Sequence, residues 1–277
     1  MQINSKWMER RFGSPFLEEG LTMRIVSLVP SLTLTLFDLG CTSEQIVGRT
    51  PWCIHPADSV QNVPVVGGTK TPNLNKILNA KPELVVMDRE ENPKEVYEEL
   101  KSKGIEVFVS SVEHPSEVPE MLRTLGEKVG KSARAEAMAA SLEATMNDLQ
   151  RQPLPSRRVA PMIWHEPLMS VGPEKYAGGV LTSLGLTVPS LVEGGNGYPV
   201  VTPEALMEKQ IEGLLLSSEP HDFAIEEGEA IAKQVAELGG QAPWSVCIDG
   251  EALTWFGSHT LKGLESLRKQ IENSGFL

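Results

Sequence analysis

KSARAEAMAASLEATMNDLQRQ, residues 131–152, contains neither Gly nor Pro and is dominated by Ala, Glu, Met and Leu. Over such a window intrinsic propensity favours one helix of about 20 residues, roughly 30 Å long at the usual rise. Pro153 and Pro155 end it. Its flanks are of a different kind. Before it, short β-branched runs alternate with amphipathic stretches. RIVSLV (24–29), IVG (46–48), VPVVGG (63–68), ELVVM (83–87) and EVFVSS (106–111) read as strands. Helical segments fall between them: one from Ser31, taken as its N-cap, to Gly40, then 74–80, 93–103 and one from Pro115. After it the alternation resumes with RVAPMIW (158–164), IEGLLLSS (211–218) and SVCID (245–249) as strands. Helices are expected near 177–185, 202–209, 226–238 and 259–274. Strands separated by helices imply parallel sheets. The expected fold is α/β, with two Rossmann-like lobes joined by a single long backbone helix and a ligand cleft between them. The divisions are an N-terminal extension (1–22), a first lobe (23–130), the helix (131–152) and a second lobe (153–277).

Composition narrows the function. The chain has 277 residues, 40% hydrophobic and 22% charged, with a net charge of −12. Such a balance disfavours nucleic acid and anionic membrane surfaces as partners. Three cysteines, at 41, 53 and 247, form no CxxC pair and imply no disulfide framework. No run of 18 apolar residues occurs, so membrane insertion is not expected. The stretch from Met23 imitates a lipoprotein signal, but Pro30 and Asp38 interrupt it, and residues 1–22 have no apolar core. As it stands the chain reads as cytoplasmic, or as periplasmic if an export signal has been removed. GEKVGKS (126–132) ends like a phosphate-binding loop, yet Leu125 stands where that loop needs its first Gly and a helix precedes it; Gly130 reads as a helix stop.

Ligands of open α/β sheets sit beyond the carboxyl ends of the strands. Most of the unusual polar and aromatic residues fall there. Trp52, Cys53 and His55, in the proline-fenced TPWCIHP, follow 46–48; Lys70 follows 63–68; Arg89 and Glu90 follow 83–87. In the second half Trp164, His165 and Glu166 follow 158–164, Tyr198 lies in GYPVVT, Ser218 and Glu219 follow 211–216, and Trp255, Ser258 and His259 follow 245–248. Each piece has an ordinary alternative. DREEN suits a charged helix start, Trp255-Phe256 suits core packing, and His114, before Pro115, is read as structural. Their joint placement is what suggests a site. Trp52 and Trp255, one per lobe, offer flat walls for a macrocycle. His55, His165 and His259 are candidate metal ligands, alone or with carboxylates. Cys53 with His259 could serve as nucleophile and base if they lie close together.

RIVSLVPSLTLTLFDLG, with VVGGTKTPNLNKILNAKPELVVMD and the closing DGEALTWFGSH, resembles the substrate-binding proteins for cobalamin and ferric siderophores, the receptors with a helical backbone between two lobes. The resemblance covers about residues 23–275. It implies a non-enzymatic receptor for a small metal chelate, most often a corrinoid, with a ferric siderophore as the related cargo. It requires no resident cofactor and implies an ABC permease as partner. Asn75 stands where cobalamin receptors carry an acidic permease contact, and Thr69 where they carry a corrin-stacking aromatic. Direct metal-ion or haem binding through cleft His, Cys and Glu is the alternative, and a Cys/His enzyme the third reading.

Overall fold

The computed structural model describes residues 23–194 and 196–276; the extension assigned to 1–22 lies outside them. The first lobe runs β1 (Ile25–Ser27), α1 (Pro30–Asp38), β2 (Ile46–Gly48), α2 (Ala57–Val60), α3 (Leu74–Asn79), β3 (Leu84–Asp88), α4 (Lys94–Ser102), β4 (Glu106–Ser110) and α5 (Val118–Lys128). Its four strands are all parallel, in the order β2-β1-β3-β4. Helix α6 (Ser132–Arg151) follows. The second lobe runs β5 (Val159–Trp164), β6 (Met169–Ser170), α7 (Tyr176–Ser183), α8 (Pro203–Glu208), β7 (Gly213–Ser217), α9 (Ile225–Glu237), β8 (Trp244–Ile248), α10 (Gly250–Thr254) and α11 (His259–Asn273). Its order is β6-β5-β7-β8, with β6 antiparallel to β5 and the others parallel.

Helix α6 is unbroken over 20 residues, about 30 Å. Ala135, Ala139, Leu142 and Leu149 form its buried stripe, the spacing of one helical face. The stripe packs on α5 from one lobe and on α7 and α11 from the other. At Gly126 of α5 the two helices come so close that an added Cβ would stand 2.2 Å from that of Ala135. The phosphate-loop lookalike is thus a helix junction: Gly126 permits the approach, and Gly130, at φ +68°, turns the chain from α5 into α6. One apolar core continues from the first lobe (Leu32, Leu36, Phe108, Leu122) into the second (Leu181, Leu215, Leu264, Ile271). Each sheet has a further cluster on its other face. A shared core of this kind resists wide opening of the lobes, since opening would expose buried apolar surface.

Two local expectations fail. Residues 63–68 do not form a strand: Val65 bridges to Arg49 and Gly67 to Pro72, and no ladder extends from them. Pro64 cannot donate to a ladder, and Gly67 turns away at φ +121°. Ser31 does not cap α1. The cap position is Val29, Pro30 takes the first turn, and Ser31 is buried inside the helix, where proline's fixed φ is already helical. No described helix is long and apolar enough to cross a membrane.

Candidate functional site

Parallel strands aim their carboxyl ends at one edge of each sheet, and the loops leaving those edges meet across the lobes in two places. At one, His55, beyond β2, places Nε2 3.2 Å from Glu251 Oε1 at the start of α10. His55 also stands edge-on to Trp255, with ring centroids 5.5 Å apart, and Trp255 stands edge-on to His259 at 6.2 Å. Burial holds the His259 imidazole below its usual range, against the raising pull of Glu251 and Asp249.

At the second place Glu90, beyond β3, receives a hydrogen bond from Tyr198 Oη at 2.9 Å and an ion pair from Lys175 of the other lobe. The ammonium of Lys175 lies 5.2 Å from the Tyr198 ring centre, a cation–π geometry. Partial burial raises the Glu90 carboxyl, but the bonds from Lys175 and Tyr198 with the charges of Lys175 and Arg89 outweigh it and hold it below the ordinary range. Burial, then the hydrogen bond and charge of Glu90, push the Tyr198 phenol well up. Lys70 donates to the Glu90 carbonyl, and Arg89 pairs with Glu113. This corner rests on a buried frame. Asp88 accepts from the N–H groups of Glu90 and Glu91 at 2.8 and 3.1 Å and from Ser110 Oγ at 2.6 Å. Asn92 donates to the carbonyls of Leu28 and Thr69 at 3.2 and 3.0 Å. Burial raises the Asp88 carboxyl despite those donors.

The apolar walls differ from expectation. Trp52 is 65% exposed and Trp164 41%, whereas Trp255 is 8% exposed. Trp255 therefore is not a free wall: it lies beneath His55, and its Nε1 donates to Glu219 Oε1 at 3.0 Å. Glu219 also accepts from Thr254 Oγ1 at 2.8 Å, and burial raises its carboxyl. Through these two bonds its Oε1 ties down the Trp255 loop. The pair of exposed indoles, one per lobe, is Trp52 and Trp164. Ile54, Val65 and Val200 add exposed apolar surface on neighbouring loops. Trp164 is steadied by its Nε1 bond to the Glu166 carbonyl at 2.9 Å, while the Glu166 side chain is exposed. Ser218 Oγ accepts from the Gly250 N–H at 3.0 Å.

Three other assignments change. Cys53 is fully buried, its sulfur 3.1 Å from Thr33 Oγ1 and 3.2 Å from Thr50 Oγ1. Its thiol is turned into the core, and a nucleophile needs access. Ser258 turns away from the cleft loops. Its N–H donates to Thr35 Oγ1 of α1 at 3.0 Å, and it lines a cavity of about 440 Å³ along α6 with Asp38, Arg134 and Lys262. His55, His165 and His259 do not form one ligand set. His165 lies instead with His221 and Glu227, both of the second lobe. His114 is structural as expected, its Nδ1 accepting from the Ser116 N–H at 3.1 Å. Lys175 and Glu227 escaped the sequence reading, because they look like an ordinary surface lysine and an ordinary helix-start carboxylate; His221 and Glu251 lie beyond strand ends, where cleft residues are expected.

Similar proteins agree with the architecture. A Vitamin B12-binding protein from Pectobacterium carotovorum subsp. carotovorum (strain PC1) is 23% identical over 208 residues, 74% of each chain. Another, from Pectobacterium atrosepticum, is 26% identical over 130 residues, and there this chain matches 46% of the relative's length. Among solved structures, the apo periplasmic haem-binding protein RhuT from Roseiflexus sp. RS-1 superposes with a TM-score of 0.75 at 20% identity, over 91% of this chain and 99% of that one. The periplasmic Vitamin B12 binding protein BtuF of Vibrio cholerae gives 0.73 at 18%, over 91% and 97%. The family model described as "Periplasmic binding protein" matches residues 25–238, most of the chain, and the protein belongs to that family.

Proposed function

We propose that the protein is a non-enzymatic receptor that holds a flat metal chelate between its lobes, and that the chelate is a corrinoid. The observation that supports this is a pair of exposed tryptophans at or beyond strand ends, Trp52 in the first lobe and Trp164 in the second. A bare ion needs no such surface, whereas a macrocycle packs its faces on it. The choice of corrinoid over haem rests on charge. Haem brings two carboxylates, and the nearby cations Lys70, Lys175 and Arg89 are all engaged with Glu90 or Glu113. A ring edged with neutral amides needs hydrogen-bonding partners rather than free cations. The relatives named for vitamin B12 support the same reading. His55 is the side chain placed to ligate the chelate's metal from the first lobe, exchanging its contact with Glu251 for the metal. Delivery to an ABC permease belongs to the proposal.

The test is the visible spectrum and metal content of the protein purified from its native host. A corrin with one equivalent of cobalt supports the reading. A Soret band with iron replaces it by haem, and zinc or manganese without a chromophore replaces it by direct ion binding.

A further inference from the structure

Three donors of the second lobe converge at a point apart from both inter-lobe contacts. His165 lies just beyond β5, His221 beyond β7, and Glu227 in the first turn of α9. Glu227 Oε1 stands 2.9 Å from His165 Nδ1 and 3.0 Å from His221 Nε2. All three ligand atoms lie within 4.8 Å of one another. The group is built rather than incidental. The two imidazoles stack with centroids 5.6 Å apart. Buried Phe223 stands edge-on to His221 at 4.5 Å and to His165 at 6.0 Å, and Trp164 braces His221 at 6.1 Å. The second carboxylate oxygen of Glu227 accepts the Ala224 N–H at 2.7 Å, which orients the first toward the histidines.

The geometry points to a divalent transition-metal site of the zinc class formed by His165, His221 and Glu227, with one coordination position open. Two imidazoles and a carboxylate are the donors such ions prefer. Bonds of about 2.0–2.1 Å in tetrahedral array separate donors by about 3.3 Å. The two nitrogen–oxygen separations, 2.9 and 3.0 Å, therefore need to open by only about 0.3–0.4 Å. An ion held there takes Nδ1 of His165 and Nε2 of His221, the two nitrogens that already face the shared oxygen of Glu227. All three residues are partly exposed, so solvent or an incoming donor reaches the fourth position. Because every ligand belongs to one lobe, occupancy does not require the lobes to close. The site is independent of the chelate reading and goes beyond it.

The full chain, stripped with a chelator, is titrated with cobalt(II) chloride and zinc chloride alone, by calorimetry and visible absorption. One equivalent should bind with a Kd at or below about 10 μM, with cobalt giving the strong d–d bands of four- or five-coordinate geometry and zinc displacing it. His165→Ala and His221→Ala should each weaken binding at least about tenfold, and His114→Ala, at a structural histidine outside both sites, should leave it unchanged. Melting curves establish that each variant is folded; if His221→Ala is not, the more exposed His165→Gln decides. No saturable binding below about 1 mM, or unchanged binding in a folded variant lacking His165 or His221, overturns the assignment.

Discussion

Trp52→Ala isolates the wall of the cleft from the stability of the fold. Trp52 is 65% exposed. A tryptophan offers at most about 250 Å², which leaves about 160 Å² facing solvent. A macrocycle laid on one face covers about half of that, about 80 Å². At about 25 cal/mol per Å² the lost contact is about 2 kcal/mol, or roughly thirtyfold in Kd. The melting temperature should not move, because little of the side chain packs on the protein. Trp255→Ala should behave in the opposite way. Its ring is 8% exposed and bonded to Glu219, so truncation should remove about 3–5 kcal/mol of stability and affect the ligand only through disorder of the loop. The assay is calorimetric titration with cyanocobalamin beside urea unfolding of the same preparations. The reasoning is refuted if Trp52→Ala binds like the parent while a folded Trp255→Ala has lost the ligand.

Lys175→Met removes one partner of a partly buried pair across the lobes and should lower unfolding stability by about 2 kcal/mol, read from urea denaturation; an unchanged midpoint would show that the pair does not couple the lobes. His259 has its folded pKa depressed below the unfolded 6.5 by burial. Above that value both states are neutral and stability is level; as pH falls below it the unfolded chain takes up the proton first, so stability declines, and His259→Gln should flatten the decline. Gly67→Ala puts a Cβ 2.5 Å from the Asn73 backbone nitrogen at φ +121° and should destabilise the Lys70 loop by about 2 kcal/mol or more, with wild-type stability as the contrary result. A thiol reagent should label native protein at Cys247, slowly because burial and acidic neighbours raise its pKa, and leave Cys41 and Cys53 untouched until unfolding.

The long helix was legible because propensity acts along the chain: no residue of 131–152 breaks it, and prolines stop it. The strand-end rule likewise gathered Trp52, His55, Arg89, Trp164 and Trp255 from four separate segments. What it could not supply was orientation. Trp52 and Trp255 both follow strands, yet one faces solvent and the other lies under a histidine from the other lobe, a contact across 200 positions that no local pattern encodes. Cys53 sits two residues from a half-buried His55, but the turn closed by the Cys53 N–H on the Thr50 carbonyl carries its thiol inward to Thr33 and Thr50. His165 was grouped with His55 and His259 because all three lie beyond strands. Its actual partner, Glu227, is hidden among three glutamates of AIEEGEA, any of which suits a helix start.

Calorimetric titration of the purified chain with cyanocobalamin, with haemin and a ferric siderophore in parallel, tests the central claim most directly. The expected result is one corrinoid per chain, bound with a negative heat-capacity change from apolar burial, and at least about tenfold more tightly than either competitor. Saturable binding of haemin or the siderophore with none of the corrinoid, or no binding of any of the three, would contradict it.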